Sequence, residues 1–239
     1  MLELDVGNTR IKWRRLGSQG ESVASGIEAG KGGVFEFLAE TSAPSRVRIS
    51  CVRDQVFRAE LVSAIESCWG LVPEFAESLA GYAGLSNAYV MPERLGVDRW
   101  LAMLAAKELA SGKFCVLDAG SALTLDFVEA GGRHLGGYIV PGLSMQKRVL
   151  LQNTAIRIPE FDASAELAPG RSTEAAILNG VMGMAVAWIA EECRDHLGGG
   201  ELFVTGGDAL LLMGYLQKKG ISCSLVPELV MDGLSIALP

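Results

Sequence analysis

The sequence has few of the residues that build metal centres and histidine-based catalytic sites. It contains two histidines, His134 and His196, and five cysteines that are scattered without a close pair or a metal-ligand spacing. These counts argue against a zinc site and against a histidine-based catalytic triad. They favour free, buried thiols in a reducing compartment.

The chain also lacks a basic patch and a long hydrophobic run. Its net charge is −7, which argues against a general nucleic-acid binder. The N-terminus has no basic segment followed by an apolar run, and the longest uncharged apolar stretch, 181–190, is too short to span a bilayer. We therefore expect a soluble, cytoplasmic protein with no membrane or nucleic-acid partner.

What the sequence does contain is an alternation of strand and helix patterns. The 239 residues, 49% of them apolar, suffice for one large domain or two compact lobes. Two of the strand pairs read as hairpins, so the pattern predicts α/β lobes with mixed sheets. A weak internal repeat relates residues 2–9 to residues 114–121: a strand, then Asp, any residue, Gly and a small polar residue, then another strand.

The repeat contains two similar turns, Asp5–Thr9 and Asp118–Ser121. A bound phosphate needs close backbone approach, which glycine allows, and short hydroxyl or amide donors. It also needs a carboxylate that holds a cation directly or through water. Asp and Gly are ordinary turn formers, so either turn alone is explained as well by a structural role. Two such turns at the starts of two half-chains favour phosphate binding.

A second candidate for chemistry is the segment Gly-Val-Asp-Arg-Trp at residues 96–100. A kinase that acts on an alcohol needs a base near the attacking hydroxyl, and a carboxylate is the usual choice. Asp98 lies where a loop gives way to a predicted helix, Gly96 allows close approach, and Arg99 could pair with an anionic group. Taken alone, the segment is better explained as a helix start with a surface arginine.

A third strand end, Thr205-Gly206-Gly207, precedes another predicted helix. Together with the two turns it resembles the actin/sugar-kinase superfamily, in which two related lobes close on ATP. One hairpin from each lobe flanks the phosphates there, and a Gly-Gly turn borders the adenosine. The resemblance implies two actin-like (ribonuclease H-like) lobes, residues 1–112 and 113–239. No Walker A motif and no glycine-rich Rossmann motif is present, so those folds are not expected.

The order of the motifs is more specific, because it resembles that of type III pantothenate kinases along nearly the full length. The motifs are Asp-X-Gly-Asn-Thr at 5–9, Gly-X-Asp-Arg at 96–99, Asp-X-Gly-Ser at 118–121, Gly-Gly-X-Ile-X-Pro-Gly at 136–142 and Asn-Thr-Ala at 153–155. The resemblance implies ATP-dependent phosphorylation of pantothenate to 4'-phosphopantothenate, the first step of coenzyme A biosynthesis. It also implies a homodimer with the substrate pocket near the subunit interface.

The same resemblance implies roles for individual residues. Asp98 would accept the proton of the substrate hydroxyl, and Asp118 would bind the monovalent cation, K⁺ or NH₄⁺, that these enzymes require. Asp5 is the candidate ligand of the Mg²⁺ that accompanies ATP. The implied pantothenate contacts are Tyr89, Gly96, Val97, Asp98, Arg99 and Thr173. The implied ATP contacts are Asp5, Val6, Gly7, Asn8, Thr9, Arg10, Ile11, Lys12 and Ser121.

One position departs from the family pattern, since Ser121 stands where the family usually has threonine. The hydroxyl is retained, although the rigidity of the loop could differ. Two other functions stay open: an actin-fold kinase for another small alcohol or sugar, and a nucleotide-binding regulator without catalysis. The joint presence of Asp5, Asp98 and Asp118 argues against the regulator, because a decayed site has no physical need for three carboxylates.

Overall fold

The computed structural model describes residues 1–158 and 165–239. They form two compact units, Met1–Leu109 together with Glu228–Pro239, and Ala110–Pro227. This division differs from the predicted lobes mainly at the C-terminus, since residues 228–239 belong to the first unit.

The first unit is built on a mixed five-stranded sheet in the order β3-β2-β1-β4-β5. Strands β1, β2 and β3 are antiparallel neighbours, whereas β4 and β5 run parallel to β1. The first two strands form the predicted hairpin. The strands are β1 (Leu2–Val6), β2 (Arg10–Leu16), β3 (Ser22–Ala29), β4 (Val47–Cys51) and β5 (Glu74–Phe75), followed by a small separate hairpin of β6 (Gly81–Tyr82) and β7 (Leu85–Ser86).

Helices pack against this sheet. They are α1 (Gly30–Glu40), α2 (Gln55–Trp69) and α3 (Val97–Leu109). Helix α2 begins where the Asp54 carboxylate accepts a hydrogen bond from the backbone N–H of Phe57 at 2.8 Å. Alternate residues of β1 point into a core with α1 and α2. The buried core residues are Leu2, Leu4, Val6, Ile11, Val34, Leu38, Val47, Ile49, Phe57, Leu61 and Ile65.

The second unit repeats the topology of the first sheet. Its order is β10-β9-β8-β11-β12, again with three antiparallel neighbours and two parallel strands. The strands are β8 (Phe114–Ala119), β9 (Ala122–Val128), β10 (His134–Pro141), β11 (Glu201–Thr205) and β12 (Ser224–Leu225). The internal repeat that the sequence predicts from one short motif therefore extends to the whole sheet.

In its described residues the second unit also has three helices: α4 (Leu143–Asn153), α5 (Thr173–His196) and α6 (Ala209–Lys218). The Ser172 side chain caps helix α5 by accepting a hydrogen bond from Ala175 N at 3.2 Å. By length and composition alone α5 could cross a bilayer. Its residues Val181, Ala185 and Ile189 instead pack in the core of the unit with β8 and β9, which is the environment of an ordinary core helix.

The last helix, α7 (Leu229–Ala237), returns to the first unit. It packs along α3 and also contacts β1 and β4. Gly233 lies so close to α3 that a Cβ atom there would overlap the backbone of Leu101. This packing places the C-terminal residues in the first unit, whereas the resemblance implied that they belong to the second lobe.

Candidate functional site

Asp5 lies near the end of β1, on the face of the sheet opposite the apolar core. Ser50 stands beside it on β4, and its Oγ donates a hydrogen bond to Asp5 Oδ1 at 3.1 Å. Burial, and after it the charge of Asp98, raises the pKa of Asp5 to about 6, against the lowering effects of Lys12 and the Ser50 hydrogen bond. A carboxylate with such a pKa is poised to gain from a nearby cation.

Asp98 lies half-buried in the first turn of α3, as the sequence predicts. Its Oδ1 accepts a hydrogen bond from the backbone N–H of Arg99 at 2.7 Å, and a Cβ atom on Gly96 would come within 2.7 Å of the same oxygen. Glycine at position 96 thus leaves room for the carboxylate. Because the charge of Asp98 raises the pKa of Asp5, these two carboxylates are electrostatic neighbours within the first unit.

Arg99 is buried, with 6% of its surface exposed, so it is not the surface charge that an isolated motif would suggest. Its Nη1 donates a hydrogen bond to the hydroxyl of Tyr89 at 3.0 Å, and its guanidinium lies 5.8 Å from the centre of the Tyr89 ring. Asn87 orients that loop, since its side-chain oxygen accepts from the N–H of Tyr89 at 3.0 Å. Tyr89 and Arg99, both predicted substrate contacts, therefore form one pair.

The turn between β1 and β2, residues 7–10, carries the first predicted phosphate contacts. The N–H of Gly7 donates to the carbonyl of Arg10 at 3.1 Å and closes the turn. The side chain of Arg53 holds the turn from outside the hairpin: its Nε donates to the carbonyl of Gly7 at 2.8 Å and its Nη2 to the carbonyl of Asn8 at 3.1 Å.

The corresponding turn of the second unit, between β8 and β9, is held by glycines. The N–H of Gly120 donates to the carbonyl of Ala122 at 3.0 Å, and the N–H of Gly142 donates to the carbonyl of Ser121 at 3.1 Å. A Cβ atom on Gly142 would lie 2.5 Å from the Gly120 carbonyl oxygen. Gly206 has φ +96° and lies against both Asp118 and the Ala119 backbone, where a Cβ atom would overlap them. Asp118 thus borders the Gly-Gly turn within the second unit.

Some predicted contact residues can offer a ligand only their backbone. Val6 and Ile11 are fully buried in the core of the first unit, and Val97 is 9% exposed.

Other predicted contact residues are accessible. Residues 8–10 of the turn are exposed. Thr173 is the exposed first residue of α5 and belongs to the second unit.

Sequence reasoning missed two residues that support the site, Ser50 and Arg53. Ser50 is found only when the parallel register of β1 and β4 is known, because that register sets it beside Asp5. Arg53 follows β4 in a polar stretch that reads as an ordinary helix start. The sequence shows only that a polar residue stands at or after the end of a buried strand. Such residues are too common to indicate a functional site.

The donor set suits a cation whose coordination is completed by phosphate. Within residues 1–158 and 165–239, no group of three or more His, Cys, Asp or Glu side chains could hold a metal ion by itself. Mg²⁺ commonly takes one or two carboxylates and completes its shell with phosphate and water. Asp5, with a pKa raised partly by a neighbouring negative charge, fits this role. The Asp118 carboxylate, lying among backbone groups, offers the oxygen ligands of a hard cation.

Comparison with solved structures defines the fold. A protein from Campylobacter jejuni, described as a Baf family transcriptional activator, matches with a TM-score of 0.67 and 21% identity, over 98% of this chain and 96% of that one. A protein from Sinorhizobium meliloti, described as a 2-dehydro-3-deoxygalactonokinase, matches with a TM-score of 0.58 and 15% identity, over 99% and 97%. At these identities the likeness shows the fold alone, and it confirms the predicted actin-like, sugar-kinase-like class.

Comparison with sequences defines the family. A profile of the family described as type III pantothenate kinase matches residues 1–195. A type III pantothenate kinase of Ectopseudomonas mendocina is 39% identical over 249 residues, covering 100% of this chain and 99% of the relative. Another, of Marinobacter nauticus, is 37% identical over 244 residues, covering 98% and 96%. The chain therefore belongs to the type III pantothenate kinase family, the ATP-dependent kinases of the first step of coenzyme A biosynthesis.

Proposed function

We propose that this chain transfers the γ-phosphoryl group of ATP to pantothenate, giving 4'-phosphopantothenate, and that Asp98 accepts the proton of the substrate hydroxyl. The observation that supports the assignment of Asp98 is its place in the first turn of α3 beside Gly96, where its charge raises the pKa of Asp5, the carboxylate that precedes the proposed phosphate turn. A base for phosphoryl transfer must lie near the end of the triphosphate, where the attacking hydroxyl sits. Asp98 meets this requirement if the turn binds phosphate.

The pair of Tyr89 and Arg99 supports the proposed pantothenate site. Pantothenate carries a carboxylate, and a buried guanidinium that is already oriented by a phenol hydroxyl can bind such a group with little loss of side-chain freedom. Gly96 and Val97 offer backbone groups on the same segment as Asp98. Thr173 supplies a further hydroxyl to the substrate in this proposal.

ATP binding uses the two turns in this proposal. The turn of residues 7–10 contacts the phosphates through its backbone N–H groups, the short side chains of Asn8 and Thr9, and the charges of Arg10 and Lys12. Ser121 makes a further ATP contact. The exposure of residues 8–10 and of Ser121 supports this role.

The family's reaction uses a divalent metal along with ATP, and we assign Asp5 to it. Bound Mg²⁺ supplies charge neutralisation at the phosphate oxygens. Asp118 holds the monovalent cation, K⁺ or NH₄⁺, which adds positive charge that a protein of net charge −7 otherwise has little of.

The transfer itself is an in-line displacement. The primary hydroxyl oxygen of pantothenate forms a bond to the γ-phosphorus, the bond between that phosphorus and the β,γ-bridging oxygen breaks, and ADP leaves. Asp98 takes the hydroxyl proton. Because the transition state is loose, positioning and charge neutralisation contribute more to the rate than the base does.

The protein acts in the cytoplasm as a homodimer, without nucleic-acid or membrane partners, in this proposal. Strand β10 is the outer strand of the second sheet and exposes Tyr138 and Ile139, an apolar edge suited to a second copy of the chain. Equilibrium sedimentation tests the dimer directly.

An ADP-release assay tests the function. We expect ADP formation that depends on pantothenate and that is faster in potassium than in sodium at equal ionic strength. A panel of sugars in place of pantothenate should give no ADP above background. Turnover with a sugar but not with pantothenate would move the assignment to another actin-fold kinase, and no turnover with either would favour a regulator.

A further inference from the structure

Arg53 occupies a specific place behind the first phosphate turn. It lies in the junction between β4 and α2, half-buried, with its guanidinium carbon 4.5 Å from the centre of the Phe57 ring. Phe57 is fully buried in the core of the first unit. The stacking fixes the guanidinium plane, since a planar cation over an aromatic face has few alternative orientations.

The fixed guanidinium holds two successive carbonyl groups of the turn. Nε donates to the carbonyl of Gly7 at 2.8 Å and Nη2 donates to the carbonyl of Asn8 at 3.1 Å. One side chain therefore sets the orientation of two neighbouring peptide planes. This fork geometry is available to arginine and not to lysine.

Peptide planarity converts these contacts into an orientation of N–H groups. The described chain contains no cis peptide bonds, so each carbonyl and the N–H of the next residue point in opposite directions. With the Gly7 and Asn8 carbonyls directed at Arg53, the N–H groups of Asn8 and Thr9 are directed to the other side of the turn. Successive N–H groups that point the same way form an anion-binding concavity.

We propose that Arg53 is a positioning residue for ATP, which acts through the peptide planes of residues 7–9 and does not itself contact the phosphates. The inference rests on the proposed role of the turn in phosphate binding. It predicts that Arg53 determines the affinity for the phosphate part of the nucleotide and leaves the pantothenate site unchanged.

The test uses two variants of Arg53 and a matched control at Arg58, which lies in the first turn of α2. Arg53→Gln removes both the two-pronged hydrogen bonding and the charge, whereas Arg53→Lys keeps only the charge. The control, Arg58→Gln, removes an equal charge from a guanidinium that lies 3.9 Å from the centre of the Phe75 ring. We expect Arg53→Gln to weaken ATP binding and raise the KM for ATP by about tenfold, the range expected for lost charge-assisted hydrogen bonds. Arg53→Lys should restore only part of this loss.

The same variants separate positioning from general stability. Arg53→Gln should leave the KM for pantothenate within about twofold of wild type, and it should weaken the binding of ATP but not of adenosine, measured by calorimetry. Arg58→Gln should leave all these values near wild type. Equal losses for ATP and adenosine, or ATP affinity equal in Arg53→Gln and Arg58→Gln, would overturn the inference.

Asn8→Ala and Thr9→Ala distinguish failure of the inference from failure of the proposed function. If they weaken ATP binding while Arg53→Gln does not, the turn binds phosphate and only the role of Arg53 is wrong. If all three variants bind ATP as wild type does, the turn is not the phosphate site and the proposed ATP contacts of residues 5–12 are wrong with it.

Discussion

The two units share one sheet topology but fill the same register positions with different chemistry. In the first sheet, Glu3 is flanked by Arg14 on β2 and Arg48 on β4, and all three side chains are buried and joined by ion pairs. The positions that correspond in the second sheet are Val116, Asp126 and Phe203. Strand order therefore does not decide whether this face of a sheet carries charge.

The charged network of the first sheet is completed by the C-terminal helix. Arg14 donates to Asp232 at 2.7 Å, Ser235 Oγ donates to Glu3 at 2.9 Å, and Arg48 donates to the carbonyl of Leu238. In the second sheet, Asp126 has a partner on the neighbouring strand, His134 at 2.9 Å. The difference shows that the first unit uses buried charge to bind a distant part of its own chain.

The largest effect should come from breaking this network. Glu3→Ala leaves two buried guanidinium groups without their carboxylate, and we expect the free energy of unfolding to fall by about 3–5 kcal/mol. Val116→Ala at the corresponding position of the second sheet should cost only about 2 kcal/mol, since it removes two buried carbon atoms. Urea unfolding of both variants measures the contrast, and equal losses would show that the ion pairs add nothing.

The carboxylates proposed to act in the reaction, Asp98 and Asp118, give the second contrast between the units. Asp98→Asn in the first unit should lower kcat by about 100-fold or more while ATP still binds, because the base is lost and the shape is kept. Asp118→Asn in the second unit should instead weaken the dependence of the rate on potassium. Steady-state kinetics over a potassium titration separates the two, and full turnover by Asp98→Asn would remove Asp98 from the catalytic role.

Helical glycines give a third contrast. A Cβ atom on Gly233 of α7 would overlap the Leu101 backbone, whereas a Cβ atom on Gly180 of α5 meets nothing within 4 Å. Gly233→Ala should therefore lower the free energy of unfolding by about 1–3 kcal/mol. It should also reduce kcat, because α3 carries Asp98. Gly180→Ala should raise the free energy of unfolding by about 0.5–1 kcal/mol. Thermal unfolding checks both signs.

The smallest effect concerns the pKa of Asp5, which is raised from 3.8 to about 6 by burial, by Asp98 and, least of all, by Glu228. The folded chain then binds the proton more tightly than the unfolded chain, so the wild type loses stability as pH rises between these two values. The Asp5→Asn variant has no carboxyl group at this position, so its stability should not fall over this pH range. Without nucleotide or metal, its Tm should exceed that of wild type at pH 8 and match it at pH 4. A Tm difference that is the same at both pH values would contradict the raised pKa.

Local sequence patterns predicted much of this fold. The β1–β2 hairpin follows from a strand pattern interrupted by a polar turn. The sequence motifs also place Asp5 at a strand end and Asp98 in the first turn of a helix, where the structure has them. Ser50 and Arg53 could not be found this way, because their roles depend on which strand lies next to β1. For the same reason, the sequence patterns did not indicate that the C-terminal helix packs with the first unit.

The sequence by itself determined the family, the fold class and the residue types of the site, since these depend on motifs whose members are close together in the chain. Only the tertiary structure decided that Glu3 is buried among arginines, that α7 supports the helix of Asp98, and that Arg53 holds the turn of residues 7–10. Each of these pairs joins residues far apart in sequence. No local propensity encodes such a contact, because it forms only when the strands have paired and the helices have packed.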